Sequence, residues 1–289
     1  MSTNKKETHV PEESIDTIVT PSQWRAALAK LEPEVKKAAA GMTPREARYL
    51  VNLYYMTQDN RKRSESQVKA LTDRSENAAL IDWIATTSNS QEEHVKKLLL
   101  AYADNNPASK WAMSIMGIGP VIAAGLKAHI DVTRAHTVGA VWRFAGLDPT
   151  LVWDKGATRP WNAKLKVLCW KIGQSFIKVK NRQADTYGKV YTVHKDQLIA
   201  KNEALEYADY AGERVDSVGK DTDAFKWYSM GMLPPKQVDQ RAARYATKLF
   251  LSHYHHVAYE IEHGTPPPKP YIFTVPGHTH FISPPNWPM

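Results

Sequence analysis

The run WAMSIMGIGPVIAA at residues 111–124 leaves the backbone few choices. Two glycines bracket a branched apolar residue, a proline follows at once, and the flanking apolar residues recur at helical spacing. Gly117 can take a positive φ with no Cβ in the way. Ile118 is expected to turn inward and pin the turn, and Gly119 to let a second helix begin tightly with Pro120 at its first position. The pattern is helix, hairpin, helix. Amides at the start of the second helix then lack intrahelical acceptors and sit at the positive end of its dipole, where a phosphate is stabilised. Lys127, two turns on, is expected to close on the same phosphate backbone. The plain alternative is a tight turn between two core helices, which Gly-x-Gly serves equally.

The charge distribution favours the phosphate reading. The chain of 289 residues carries a net +8. Residues 1–108 hold 15 Lys and Arg against 15 Asp and Glu, and residues 202–289 hold 8 against 10. Residues 109–201 hold 15 against 5, so the middle third supplies the whole excess and contains the hairpin. Such a field attracts polyanions over a Debye length of about 10 Å. Contacts of this kind position a duplex without reading its sequence. The bland counterpart is a solvated basic face on an unrelated protein.

Helix signals run along the rest of the chain, and β-type alternation is nearly absent. Residues 1–20 lack apolar periodicity and read as a flexible tail. Thr20 and Pro21 mark a helix start, and Gly41 ends that helix. Thr43 and Glu46 form a capping box, as do Ser90 and Glu93, each predicting a new helix start. Residues 43–104 therefore read as two or three long helices, within a helical bundle or dimerisation region at 21–108. The basic domain spans 109–201, with helices from about Ser109 and over 165–179. Residues 202–263 read as a charged connection and a long helix from about Pro235 to His263, presenting Val238, Ala242, Tyr245, Leu249, Ser252, His256, Tyr259 and Ile261. Residues 264–289 are too proline-rich for helix and should lie extended on the surface or against a protein partner. The predicted fold is all-α: a helical N-terminal region, a helix-hairpin-helix DNA-binding domain, and a long C-terminal helix with an extended tail.

The run GIGPVIAAGLKAHID, then Arg134, then VWRFAGLDP, the loop DKGATRP and the helix LKVLCWKIGQSFIKVKN resemble a known domain. They are similar to the C-terminal domain of insertion-sequence transposases of the IS-one-ten, IS-one-sixteen and IS-nine-oh-two type. The resemblance spans 109 to about 190 and implies DNA strand exchange, in some members guided by a structured RNA. The family's nucleophilic serine follows the AGL-x-P element in a glycine-rich loop, where this chain reads TLVWDKGATRP, with Thr150 and Thr158 as its hydroxyls. Ser175 falls within the next helix. The four spaced carboxylates of the family's N-terminal nuclease-like domain have no counterpart in 1–108. The resemblance thus implies a DNA-binding scaffold more than a recombinase, and no catalytic residue is assigned.

Besides the hairpin and Lys127, the candidate phosphate-binding residues are Arg134, Arg143, Lys155, Arg159, Lys164, Lys171 and Lys178. The last three recur at seven residues and so share one helical face. Lys166, Lys180 and Arg182 complete the basic surface. Trp153 and Trp161 flank the loop and could stack on a base, while most of the other tryptophans are expected in the core, as is Cys169. His253, His256 and Glu260 have spacings that could supply metal ligands, with His278 and His280 in the tail, but buried hydrogen-bonded histidines are the commoner case. Asp148 and Asp154 could meet across the loop, or Asp148 could cap the next turn. No metal or cofactor is assigned. The expected partner is DNA, or a structured RNA, bound by a homo-oligomer. No apolar run is long enough for a membrane span or secretory signal, so the expected location is cytoplasmic, nucleoid-associated in a bacterial host.

Overall fold

The computed structural model describes residues 32–270 and 281–288. The expected tail at 1–20, the helix start at Thr20, and His278 and His280 lie outside them. Among the described residues there are eleven helices and no strand, so the fold is all-α as expected. They are α1 Pro33–Ala40, α2 Pro44–Thr72, α3 Ala79–Asp104, α4 Pro107–Ser114, α5 Pro120–His129, α6 Val138–Phe144, α7 Ala163–Val179, α8 Tyr187–Glu203, α9 Ala208–Val215, α10 Asp223–Ser229 and α11 Pro235–His263. None is long and apolar enough to cross a membrane.

Local signals account for most helix ends. Gly41 follows α1, and the Thr43–Glu46 box opens α2, with the Thr43 amide donating to Glu46 at 2.7 Å and the Glu46 amide returning to Thr43 Oγ1 at 3.2 Å. Asn106 caps α4, Thr137 caps α6 and Asn162 caps α7. The second predicted box fails. Ser90 lies inside the continuous helix α3, where its hydroxyl donates to the Thr86 carbonyl one turn back. The helix instead starts at Ala79, whose amide donates to Asn77 Oδ1. Ser-x-x-Glu inside an already propagating helix gains nothing from breaking it, because nucleating a new one is costly. The expected connection at 202–234 also proves to contain two short helices, α9 and α10. Tyr207 and Tyr210 pack against the core there, despite the charged sequence around them.

The described residues fall into two compact units. One holds Met56–His94, the other Pro33–Tyr55 and the residues from Val95 on. This division departs from the expected boundary at residue 108, because Ala47, Val51, Val95, Leu99 and Tyr102 are buried in the same core as the basic domain. In the smaller unit, buried Glu92 accepts from Gln58 at 2.9 Å and from Arg61 at 2.7 Å. Leu80, Trp83 and Ile84 of that unit remain exposed at three- and four-residue spacing.

In the larger unit α11 is the central element and packs on α4, α6, α7 and α8. Its buried residues include Val238, Ala242, Ala246, Phe250, Tyr254 and Val257, at steps of three and four. The expected stripe drifts off this face: Tyr245 and Ile261 are exposed, and Ala243, Thr247 and Leu251 are buried in places where the stripe had none. A helix covered by four neighbours buries far more than one stripe. Phe250 stacks on Trp111 and meets Phe176 and Tyr187 edge-on, so one aromatic cluster joins α4, α7, α8 and α11. Tryptophans are less buried than expected. Among the described residues only Trp111 is fully enclosed, while Trp83, Trp153 and Trp170 are exposed. An indole is large and has a polar N–H, so it is rarely covered completely. Residues 281–288 lie without helix across this unit's own helices. Trp111 Nε1 donates to the Pro285 carbonyl at 2.7 Å, and Trp287 Nε1 to Glu260 at 2.8 Å.

The late histidines are held as structural groups. The Ile282 carbonyl can only accept, so His253 Nε2 carries the proton and donates to it at 2.9 Å. His253 Nδ1 then accepts from the Tyr187 hydroxyl at 2.6 Å. Both ring nitrogens are occupied in the neutral form, which withdraws His253 from the suggested ligand set, and His256 lies 3.5 Å from Glu260. Among the described residues no group of three or more metal-ligating side chains assembles. Burial lowers the His253 pKa to about 4, outweighing the hydrogen bond to Ile282.

Two predictions follow from these contacts. Between about pH 6.5 and pH 4 the unfolded chain binds a proton at residue 253 that the folded chain refuses. Stability should therefore fall as pH drops through that window, by about 3 kcal/mol from this group, and His253→Gln should flatten the slope of urea-unfolding free energy against pH. Separately, Gly146 ends α6 with φ +65°, its amide bonded to Arg143 and that of Leu147 to Trp142. A Cβ there would lie 2.8 Å from Trp161. Gly146→Ala should cost about 2 kcal/mol or more in urea unfolding, combining left-handed strain with displacement of Trp161.

Candidate nucleic-acid interface

The hairpin forms as its residues require. α4 ends at Ser114, Gly117 takes φ +95°, Ile118 is buried, and Gly119 is the N-cap of α5 with Pro120 in the first turn. Gly119 has φ −98° and ψ 177°, an ordinary extended conformation, and a Cβ on it would meet open space. Gly117 is different. A Cβ there would sit 3.2 Å from Ser175 Oγ and from Val179 on α7, and the Ser175 hydroxyl donates to the Gly117 carbonyl. Ser175 is thus spent on holding the hairpin. The amide of Ala123 bonds back to Gly119, whereas the amides of Val121 and Ile122 meet no backbone acceptor among the described residues.

Lys127 does not reach toward that end of the helix. Its ammonium donates to the Tyr102 carbonyl at 2.8 Å and lies 3.8 Å from the centre of the Tyr102 ring. Burial lowers its pKa. The expectation that Lys127 closes on the same phosphate is corrected accordingly. Two turns along α5 its side chain faces α3, and the ammonium is satisfied there.

The row Lys164, Lys171 and Lys178 does share one face of α7. Lys164 and Lys178 are exposed, and Lys178 adjoins Val179, which packs on the hairpin at Gly117. Lys171 spreads over the Tyr55 ring at 3.7 Å. Arg134 is exposed in the turn after α5, and Lys155 at the tip of the loop between α6 and α7. No carboxylate forms an ion pair with Arg134, Arg143, Lys155, Arg159, Lys164 or Lys178 among the described residues.

That loop is built on tryptophans. Trp161 and Trp153 meet edge to face at 6.5 Å, and Trp153 Nε1 donates to the Ala157 carbonyl at 2.7 Å. Arg159 lies over Trp153 at 5.0 Å and Lys166 over Trp161 at 4.0 Å. Each ring thus carries a cation over it, and Trp153 remains exposed. Asp148 does not meet Asp154 through any bond. It accepts from the Thr150 amide at 2.9 Å and hydroxyl at 2.7 Å, the turn-capping role. These bonds lower its pKa, with smaller help from Arg143 and Lys248.

Two cations that the segment charges conceal complete this face. Arg244 and Lys248 lie one turn apart on α11, in a stretch whose net charge is negative, and Lys248 sits over Trp142 at 4.1 Å. Burial lowers the Lys166 pKa, and Arg244 and Arg159 push it further in the same direction. Burial lowers the Lys248 pKa as well, with Asp148 acting to raise it and Arg244 to lower it. Arg143, Arg159, Lys166, Arg244 and Lys248 thus share one electrostatic neighbourhood with Asp148 as its compensating carboxylate. The four-residue spacing of Arg244 and Lys248 on one helix was the signal for it; Arg241, one turn earlier, lies instead over the Tyr207 and Tyr210 rings. Cys169, beneath this face, is buried, and burial pushes its thiol up to about 12.

No protein-family model, no curated protein and no solved structure matches the chain.

Proposed function

We propose that this chain binds nucleic acid, duplex DNA foremost, through phosphate contacts that tolerate any sequence. The observation that carries this reading is the cation cluster of Arg143, Arg159, Lys166, Arg244 and Lys248. Five cations drawn together by three helices and a loop repel one another, and the single charge of Asp148 offsets little of this, so such a cluster gains from a polyanion. Tryptophans hold several of these cations in place, which lowers the entropy lost on binding. The open Gly119 face and the two α5 amides without backbone acceptors add a second phosphate position. The transposase resemblance supports the same grip; of the hydroxyls nearest its serine position, Thr150 is bonded to Asp148 and Ser175 to Gly117, and Thr158 is exposed in the loop. The exposed row Leu80, Trp83 and Ile84 supports the oligomeric reading.

Two measurements test the proposal. With about five phosphates neutralised, raising monovalent salt from about 50 to 200 mM should weaken binding to a mixed-sequence duplex roughly 10²- to 10³-fold. An affinity insensitive to salt would sink the proposal. For the hairpin, Gly119→Asp and Gly119→Asn both place a good capping residue on α5 and differ only in charge. Asp should bind duplex about tenfold more weakly than Asn, at matched thermal stability. Equal affinities would remove the hairpin from the interface and leave it a turn.

A further inference from the structure

Between α7 and α11 a cavity of about 110 Å³ opens to solvent beside the cation cluster. Lys166, Trp170, Gly173 and Gln174 line it from α7, and Gln240 and Arg244 from α11. The helices approach closely at Gly173, where a Cβ would meet Thr247 Oγ1 at 3.0 Å. On α7 this lining borders the lysine row, since at about 100° per residue Trp170 and Gln174 lie about 100° and about 60° to the same side of Lys171.

The lining is unusual in three respects. It has two cations and no carboxylate; Asp239, which Gln240 contacts at 3.5 Å, is engaged by the Tyr191 hydroxyl and by Lys195 at 3.0 Å. Gln174 Nε2 is buried with no hydrogen-bond partner, a condition that folded proteins rarely tolerate without use. Its amide offers a donor and an acceptor whichever way it is turned. Trp170 is 55% exposed, so its indole is a free apolar surface on the cavity wall.

A ligand matching these groups is flat, carries donors and acceptors on its edge, and bears an anionic substituent. We infer that the groove between α7 and α11 is a pocket for an unpaired nucleotide, the base against Trp170 with its edge toward Gln174 and Gln240, the phosphate on Lys166 and Arg244. The size agrees. A closed cavity of about 150 Å³ holds a benzene ring, so this open one admits one edge of a base while the remainder lies at the mouth. A base stacked in a duplex cannot enter, and one that is already unpaired enters at the least cost. The inference rests on the proposal that this face binds nucleic acid, and gives that face a structural preference: duplex interrupted by an unpaired nucleotide.

The test compares three labelled duplexes of about 20 base pairs by anisotropy: fully paired, with one unpaired nucleotide, and with one unpaired abasic residue. The unpaired nucleotide should tighten binding about tenfold, in line with the gain from stacking one base on an aromatic ring. The abasic residue, which bends the duplex equally but has no base, should return affinity to the paired level. Trp170→Ala and Gln174→Leu should abolish the gain and keep paired-duplex affinity within about twofold, with Gln240→Leu as a further variant should either fail to fold by circular dichroism. Paired-duplex binding without a gain, or a gain that the abasic duplex or the variants retain, overturns the pocket alone. Absence of binding to all three duplexes overturns the pocket and the nucleic-acid proposal together.

Discussion

Four helices close on the ring of Phe250. It stacks on Trp111 and meets Phe176 and Tyr187 in edge-to-face contacts, and each of these comes from a different helix, so removing the ring would loosen α4, α7, α8 and α11 together. The polar atoms around the cluster are satisfied without water: Trp111 by Pro285, Tyr187 by His253, and His253 in turn by Ile282. Everything on the surface of this unit inherits its position from here. The hairpin is held because Ser175 and Val179 stand on the same helix as Phe176. The cations of α11 are held because Arg244 and Lys248 flank the helix that carries Phe250.

Much of this was legible residue by residue. Thr43 with Glu46, Gly41, Gly117 and Pro120 fix backbone conformation by covalent structure and local hydrogen bonds, and each acts where its pattern says. The failures share a cause. Ser90 fits a capping pattern, but an N-cap exists only if the preceding residues are not already helical, and α3 runs through. α9 is a short helix whose charged sequence hides its packing side, because Tyr207 and Tyr210 become apolar anchors only once α11 supplies something to pack against. The boundary expected at residue 108 followed charge, whereas the actual division follows burial, and the segments at 33–55 and 95–104 bury their apolar residues with the basic domain.

The cations of the candidate site were legible in the sequence only in part. Counting charge along the chain finds lysines and arginines that are close in sequence, and so found Arg143 and Arg159. It cannot find Arg244 and Lys248, which join them only through the packing of α11 on α6 and α7. Lys127 shows the converse. Its place in the sequence suits a phosphate clamp, yet the carbonyl and ring of Tyr102 are nearer than any ligand bound at the hairpin would be. Backbone signals are local, and side-chain destinations are set by tertiary neighbours.

The centrality of α11 has a temporal side. Trp111 and its acceptor Pro285 are 174 residues apart, a span that a ribosome takes roughly 10 to 35 s to add. Through most of that interval, until Pro235–His263 has been added, the hairpin segment lacks the helix that buries its flank. Long-range closure of this kind is slow in any case. The nascent basic segment therefore spends seconds with Trp111 and Phe176 uncovered beside its lysines, a stage at which a holding chaperone, or a polyanion already on hand, would meet it before its own C-terminal helix does.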